Sequence, residues 1–443
     1  MDRRRIIEVL SSWNFWGEGI ETGIERSIYV NRICSYLKGV NKVVSIFGIR
    51  RAGKSYILRQ VNKAISNRIG VKNVLYVNFE EMLFPVRLDK EFLIEVYEAY
   101  RDFIKPEKQP LIILDEVQEV KYWEKFVRSI HERNEARIIV SGSSAKLMAE
   151  EFETILAGRT ITLEIYPLSF REFLIFKNID LPENELLLRP RAIRGMLNYY
   201  LNFGGFPEIV LEESEGKRRE IVRNYWETIV IKDIEKRFRV RSDVALRAVG
   251  RFLISNPSAL ISFRKISRSI KVPVKTVERF TKYFQVARVI NLIPKFSFSV
   301  REQERAPRKN YLTDISFFTL LGFRFMENIG KIIENIVAVE LLRRKNFTPE
   351  YEIYYWRDPQ QHEVDFVVKK GAKIEHLIQV AYANNVDEID RREIRSLIKA
   401  SKQLGCRNTQ IITWNLEDEI EYKGNRIKLT PLWKWLITSF TYS

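Results

Sequence analysis

Over the first 170 residues, short β-branched and aromatic runs alternate with stretches whose apolar residues recur every three or four positions. The runs "VVSIF", "NVLYVNFEE", "PLIIL", "ARIIVSGSS" and "ITLEIYPLS" each read as a buried strand, and the segments between them as helices. After the first run, "KSYILRQVNKAI" sets Ile57, Leu58, Val61 and Ile65 on one helical face. Such alternation predicts an α/β unit built on a parallel sheet. From 171 to 240 the spacing is helical, interrupted at Gly204, Gly205 and Pro207. Tyr199, Tyr200, Phe203 and Phe206 belong to the core of that stretch.

Residues 241–315 carry three amphipathic segments, the third with Val277, Phe280, Phe284 and Val286 or Ala287 turned inward. They are followed by a strand, a charged hairpin tip and a return strand, which together predict a winged helix-turn-helix. From 325 to 443 the order is helix, three strands, helix, strand. Four domains are therefore expected: an α/β core over 1–170, a helical lid over 171–240, the winged helix over 241–315 and an α/β unit over 325–443.

Charge changes the picture most. Of a net +17, the segment from Lys217 to Lys309 alone carries 24 Lys and Arg against 8 Asp and Glu, a surplus of 16. A charge run is often only a solvated face, but an excess concentrated in one segment points to a polyanion. On the third helix Lys275, Thr276 and Arg279 are the candidates for base edges of double-stranded DNA. Lys265, Arg268, Lys271 and Lys282, with Arg301, Arg305 and Arg308 on the wing, are the candidates for phosphates. Winged helices also bind proteins, so that alternative stays open. Two cysteines and three histidines give neither a disulfide framework nor a zinc cluster. With no uncharged apolar run of 18 residues, no membrane partner and a cytoplasmic location are expected.

The chemistry lies between the first strand and the first helix, where "GIRRAGKS" has the spacing G-x-x-x-x-G-K-S. Gly48 and Gly53 let the backbone aim its amides at phosphate oxygens, with Ile49, Arg50, Arg51, Ala52 and Tyr56 completing the loop. Lys54 reaches the β- and γ-phosphates and Ser55 ligates Mg²⁺, so ATP or ADP with Mg²⁺ is the expected cofactor set. At the end of "LIILDEVQEV", Asp115 is the second metal ligand and Glu116 the residue that orients or deprotonates water. Asn78 and Ser141 end strands and are candidate polar sensors, although such residues more often form turns.

The segments "GIRRAGKS", "LIILDEVQEV", "IIVSGSSAKLM", "LAGRTITLEIYPLSFREFL" and "YLNFGGFPEIV" resemble archaeal and bacterial AAA-type P-loop ATPases with a C-terminal restriction-endonuclease-like domain. The resemblance runs from about residue 30 to 415 and implies ATP hydrolysis. It also makes Arg159 a candidate arginine finger given to a neighbouring copy in a homo-oligomer. A competent nuclease site of the C-terminal kind needs a helical Glu, a strand Asp, then Glu and Lys separated by one residue. Glu334 and Asp365 match, whereas Gln379 and Ala381 stand where the acid and the lysine belong. Glu363, Lys369 and Lys370 are the nearby substitutes. An inactive nuclease domain is the expectation, and three functions are weighed: a DNA-coupled ATPase, a nucleotide-gated switch on protein partners in regulation or defence, and an ATP-dependent nuclease.

Overall fold

The computed structural model describes residues 1–39, 41–142, 158–321 and 329–438, which fall into two compact units, Met1–Tyr166 and Pro167–Ser443. Of the segments quoted for the resemblance, residues 143–148 and 156–157 lie outside the described ones.

The first unit is built on five parallel strands: β1 (Val43–Phe47), β2 (Val74–Asn78), β3 (Leu111–Asp115), β4 (Arg137–Ser141) and β5 (Thr160–Glu164), in the order β2-β3-β4-β1-β5. β1 and β3 are buried along their whole length, which is why their sequences are unbroken apolar runs rather than alternating ones. Leu75, Val77, Ile112, Leu114, Ile138 and Val140 share a cluster with Phe92, Val96, Phe126 and Val127 from the helices Lys90–Phe103 and Trp123–Glu132. Helix α1 (Lys54–Ile69) buries Ile57, Leu58, Val61 and Ile65, the face read from the sequence. Because β4 intervenes between β1 and β3, the carboxyl ends of three adjacent strands open toward one place, where parallel sheets bind ligands.

The second unit begins with helices Phe170–Phe176, Pro190–Phe203, Pro207–Leu211 and Glu215–Thr228, the last running on as a π-helical turn over Ile229–Glu235. The Gly-Gly break is a receptor for Asp314. Gly204 has φ 76°, and a Cβ there would lie 2.0 Å from the Asp314 carboxylate, which accepts the Gly205 N–H at 2.8 Å. Burial pushes the Asp314 carboxyl up to about 6, while its hydrogen bonds from Ser316 and Gly205 work the other way.

Next come α2 (Asp243–Ile254), β6 (Ala259–Ile261), α3 (Phe263–Ile270), α4 (Val274–Val286), β7 (Ile290–Ile293), α5 (Val300–Arg305) and β8 (Arg308–Leu312), the strands forming an antiparallel sheet in the order β6-β8-β7. Trp226 stacks on Phe284 of α4 at 5.6 Å, tying this module to the helix before it. Ala287, not Val286, is the buried member of the predicted pair. The expected hairpin tip is instead the helix α5, because Ser299 caps it by accepting the Glu302 N–H and Lys295 pairs with Glu302 at 2.7 Å.

The C-terminal part sets helix α6 (Ile329–Phe347) before a six-stranded sheet. Its strands are β9 (Tyr351–Arg357), β10 (Glu363–Lys370), β11 (Lys373–Val380), β12 (Thr409–Thr413), β13 (Asp418–Tyr422) and β14 (Asn425–Pro431), ordered β9-β10-β11-β12-β14-β13, with helix α7 (Arg391–Leu404) between β11 and β12. The hairpin β13-β14 adds to the predicted elements. Its two-residue loop, Lys423 at φ 50° and Gly424 at φ 72°, has the left-handed backbone that tight hairpins need.

Gly204→Ala combines a left-handed backbone with loss of the Asp314 contact, so the variant is expected to lose about 2–4 kcal/mol of stability in urea unfolding followed by tryptophan fluorescence.

Candidate functional site

The loop that follows β1 owes its course to three residues with positive φ: Gly48 at 151°, Arg51 at 70° and Gly53 at 93°. A Cβ on Gly48 would lie 2.1 Å from the Ile165 carbonyl oxygen, so only glycine passes there. Ile49 and Ala52 are buried, and the Ala52 N–H bonds the Ile49 carbonyl at 3.2 Å. The buried Arg26 guanidinium anchors the loop from outside, donating to the carbonyls of Ala52 at 2.8 Å and Tyr166 at 3.0 Å. Gly53 gives α1 no side-chain cap, which leaves the first amides of the helix to a ligand.

Lys54 is buried, with Nζ donating to the Gly48 carbonyl at 3.2 Å. The Ser55 hydroxyl, in the first turn of α1, favours the charged form of the Asp115 carboxyl. Tyr56 is exposed beneath the Arg59 guanidinium, 4.9 Å from its ring centre. Arg50 reaches Glu80 at 3.7 Å, and Arg51 is exposed at the loop tip.

Asp115 has no exposed surface. Burial and the neighbouring Glu116 push its carboxyl up, and three hydroxyls oppose them: Ser141, Tyr76 at 2.7 Å, and Ser55. Tyr76, buried beside that carboxylate, has its own phenol held well above the ordinary range. Glu116 sits in a left-handed conformation at φ 54°, with its carboxylate accepting the Gln118 amide and its N–H reaching the Ser141 hydroxyl at 3.3 Å. A non-glycine residue held there by surrounding structure is characteristic of functional positions.

Ser141 therefore braces both acids of the pair. Asn78 lies opposite Asp115 in register, but its Oδ1 accepts the Glu80 N–H at 3.0 Å, the turn-forming bond. Arg159 is not brought to this place. Its carbonyl accepts the Val43 N–H at 2.9 Å, so it stands at the opposite end of β1, roughly 16 Å along the strand from the loop. Its side chain pairs with Glu132 at 3.2 Å. Arg26, Tyr76 and Gln118 escaped the sequence reading because their value comes from partners distant in sequence or from loop geometry.

In the basic module, Lys265 and Arg268 on α3, Lys271 in the turn, and Lys275, Arg279 and Lys282 on α4 are exposed, with Thr276 half-buried. Arg301 and Arg305 are exposed on α5 rather than on a hairpin tip, and Arg308 on β8 is half-buried and paired with Glu304 at 2.9 Å. In the C-terminal sheet Lys369 pairs with Glu352 at 3.0 Å and Lys370 with Glu350 at 3.5 Å.

Residues 40–174 match the family model described as an AAA domain, and residues 194–326 and 329–435 match two domains of unknown function, DUF8612 and DUF4143. The uncharacterized protein MJ1544 of Methanocaldococcus jannaschii is 33% identical over 410 residues, 90% of this chain and 89% of the relative. The chain belongs to this family of AAA-domain proteins. An uncharacterized protein of Haemophilus influenzae is 30% identical over 382 residues, 83% of this chain and 89% of the relative. The Walker-type ATPase PABY2304 of Pyrococcus abyssi superposes with a TM-score of 0.44 at 14% identity, covering 68% of this chain and 96% of that one. Among the described residues, no helix is long and apolar enough to cross a membrane.

In this AAA domain Ser141 has a structural duty that a stability measurement reads. Ser141→Ala leaves a buried carboxylate one donor short and is expected to cost about 1–3 kcal/mol in urea unfolding, with Ser141→Thr losing less.

Proposed function

We propose that this protein is an ATP-hydrolysing AAA-type ATPase that binds double-stranded DNA through its basic module and couples nucleotide state to a DNA transaction. One observation carries the reading: the Ser55 hydroxyl, in the first turn of α1, and the Asp115 carboxylate, sixty residues on at the end of β3, lie close enough at the open end of the sheet for the hydroxyl to favour the charged carboxylate. They are hard oxygen donors of the kind a magnesium ion takes. When bound, Mg²⁺ supplies positive charge to the β- and γ-phosphate oxygens. Lys54 exchanges its Gly48 carbonyl for phosphate, and the loop amides hold the remaining oxygens. Glu116, fixed by Gln118 and the Ser141 hydroxyl, orients the attacking water and takes its proton on a carboxylate oxygen. Arg159, at the far end of the strand from its own loop, is assigned to the site of a neighbouring copy in a homo-oligomer.

The order α2, β6, α3, α4, β7, α5, β8 supports reading the basic module as a winged helix-turn-helix whose wing carries a short helix, with α4 entering the major groove. Lys275, Thr276 and Arg279 contact base edges. Lys265, Arg268, Lys271 and Lys282 contact phosphates, so affinity falls steeply with salt.

Lys54→Ala is expected to weaken ATP binding at least tenfold, whereas Glu116→Gln keeps ATP and lowers turnover about 100-fold or more, as read by nucleotide binding and phosphate release. Unchanged turnover in Glu116→Gln removes that residue from its role.

The coupling is checked by steady-state hydrolysis with and without duplex DNA at low and moderate salt. Stimulation is expected in the wild type and absent in Lys275→Ala/Arg279→Ala. Hydrolysis indifferent to DNA favours a switch that acts on protein partners.

A further inference from the structure

Three carboxylates and one ammonium meet in the second unit. Lys309 Nζ, on β8, lies 3.0 Å from Glu334 of α6, 2.7 Å from Glu363 and 2.9 Å from Asp365 of β10. The lysine is 2% exposed. Tyr311, two residues along the same strand, donates its hydroxyl to Glu334 at 2.7 Å, and the Val380 N–H donates to Asp365 at 3.0 Å. Arg357 also reaches Glu363, at 3.6 Å.

Carboxylates gathered out of water need a cation among them, and two chemistries answer: a divalent metal or an ammonium group. The restriction-endonuclease resemblance implies the metal, held by Glu334, Asp365 and an acid at position 379. The residues present do not fit it. Gln379 offers an amide oxygen, and that oxygen faces the Asp365 N–H at 3.4 Å. Ala381, where the resemblance expects a lysine, is buried without any charge. Among the described residues, no three His, Cys, Asp or Glu side chains are grouped so as to hold a metal ion. The contacts of 2.7 to 3.0 Å around Nζ suit hydrogen bonds to an ammonium, not the shorter ligation of a small divalent ion.

We propose that Lys309 is the resident cation of this cluster, replacing a divalent ion, and that the site is a metal-independent joint pinning β8 to α6 and the C-terminal sheet. β8 is the central strand of the three-stranded sheet in the basic module, so the joint makes that sheet and the C-terminal domain one mechanical piece. The cation comes from outside the domain whose acids it neutralises. The arrangement accounts for a chain that keeps two acids of a nuclease pattern while lacking the residues that complete it.

The test uses the full chain without nucleotide. Mn²⁺ binding, followed by electron paramagnetic resonance, is expected to be the same in wild type and Asp365→Asn; an equivalent of Mn²⁺ lost on that substitution overturns the proposal. Lys309→Met is expected to lower the melting temperature by about 5 °C or more. Adding Asp365→Asn to that variant is expected to recover at least half of the loss, because the uncompensated charge is then removed. Strictly additive losses overturn the proposal, and the Mn²⁺ comparison stands even if Lys309→Met does not fold.

Discussion

A carboxylate with no exposed surface, at the end of a strand buried throughout, must be satisfied by whatever its neighbours supply. Asp115 sets this constraint on the first unit, and the sheet order answers it. β2 brings the Tyr76 hydroxyl from one side, β4 brings Ser141 from the other, and the first turn of α1 brings Ser55. Each donor stabilises charge that burial opposes. The same hydroxyl of Ser141 then holds the Glu116 backbone in its left-handed turn, so the second acid is positioned through the first.

The second unit handles buried charge in the same way with different partners. Asp314 is received by the Gly205 and Ser316 amides, and Gly204 is glycine because its Cβ would occupy the carboxylate's place. Glu340 takes Arg343 and Arg344, and the Arg344 guanidinium also lies 4.0 Å from the centre of the Trp435 ring. Of these, the contacts of Asp314 with Gly205 and of Arg344 with Trp435 span long sequence separations and tie together elements that local pairs cannot.

What the sequence disclosed follows from the range of the interactions involved. The parallel strands of the first unit, the helical face of α1 and the loop with its lysine and serine are local patterns, written in consecutive residues, and they were legible. Helix α5 was not, because its polar run "VREQER" carries no apolar period and the decision rests on Ser299 and on Glu302 meeting Lys295. Lys309 read as one more basic residue, since the three acids that define its role lie 25, 54 and 56 positions away. Asn78 was legible as a strand end, yet its turn-forming bond and its place beside Asp115 are separate facts that one residue type does not distinguish.

Charge counting carries a related lesson. The surplus between Lys217 and Lys309 divides into cations engaged internally and cations left outward. Arg218 donates to the Glu212 carbonyl, Arg247 bridges Glu227 and Asp243, Lys295 takes Glu302, Arg308 takes Glu304, and Lys309 is enclosed. Lys265, Arg268, Lys271, Lys275, Arg279 and Lys282 stay exposed on α3, the turn and α4. Other cations of the segment are exposed as well, among them Lys217, Arg223, Lys232, Arg241 and Arg251 before α3 and Arg301 and Arg305 on α5, so the outward charge is smaller than the raw count implies but is not confined to one pair of helices. Counterion release scales with the charges that reach a phosphate, not with the net charge of a segment, so cations already held by protein partners drop out of that count.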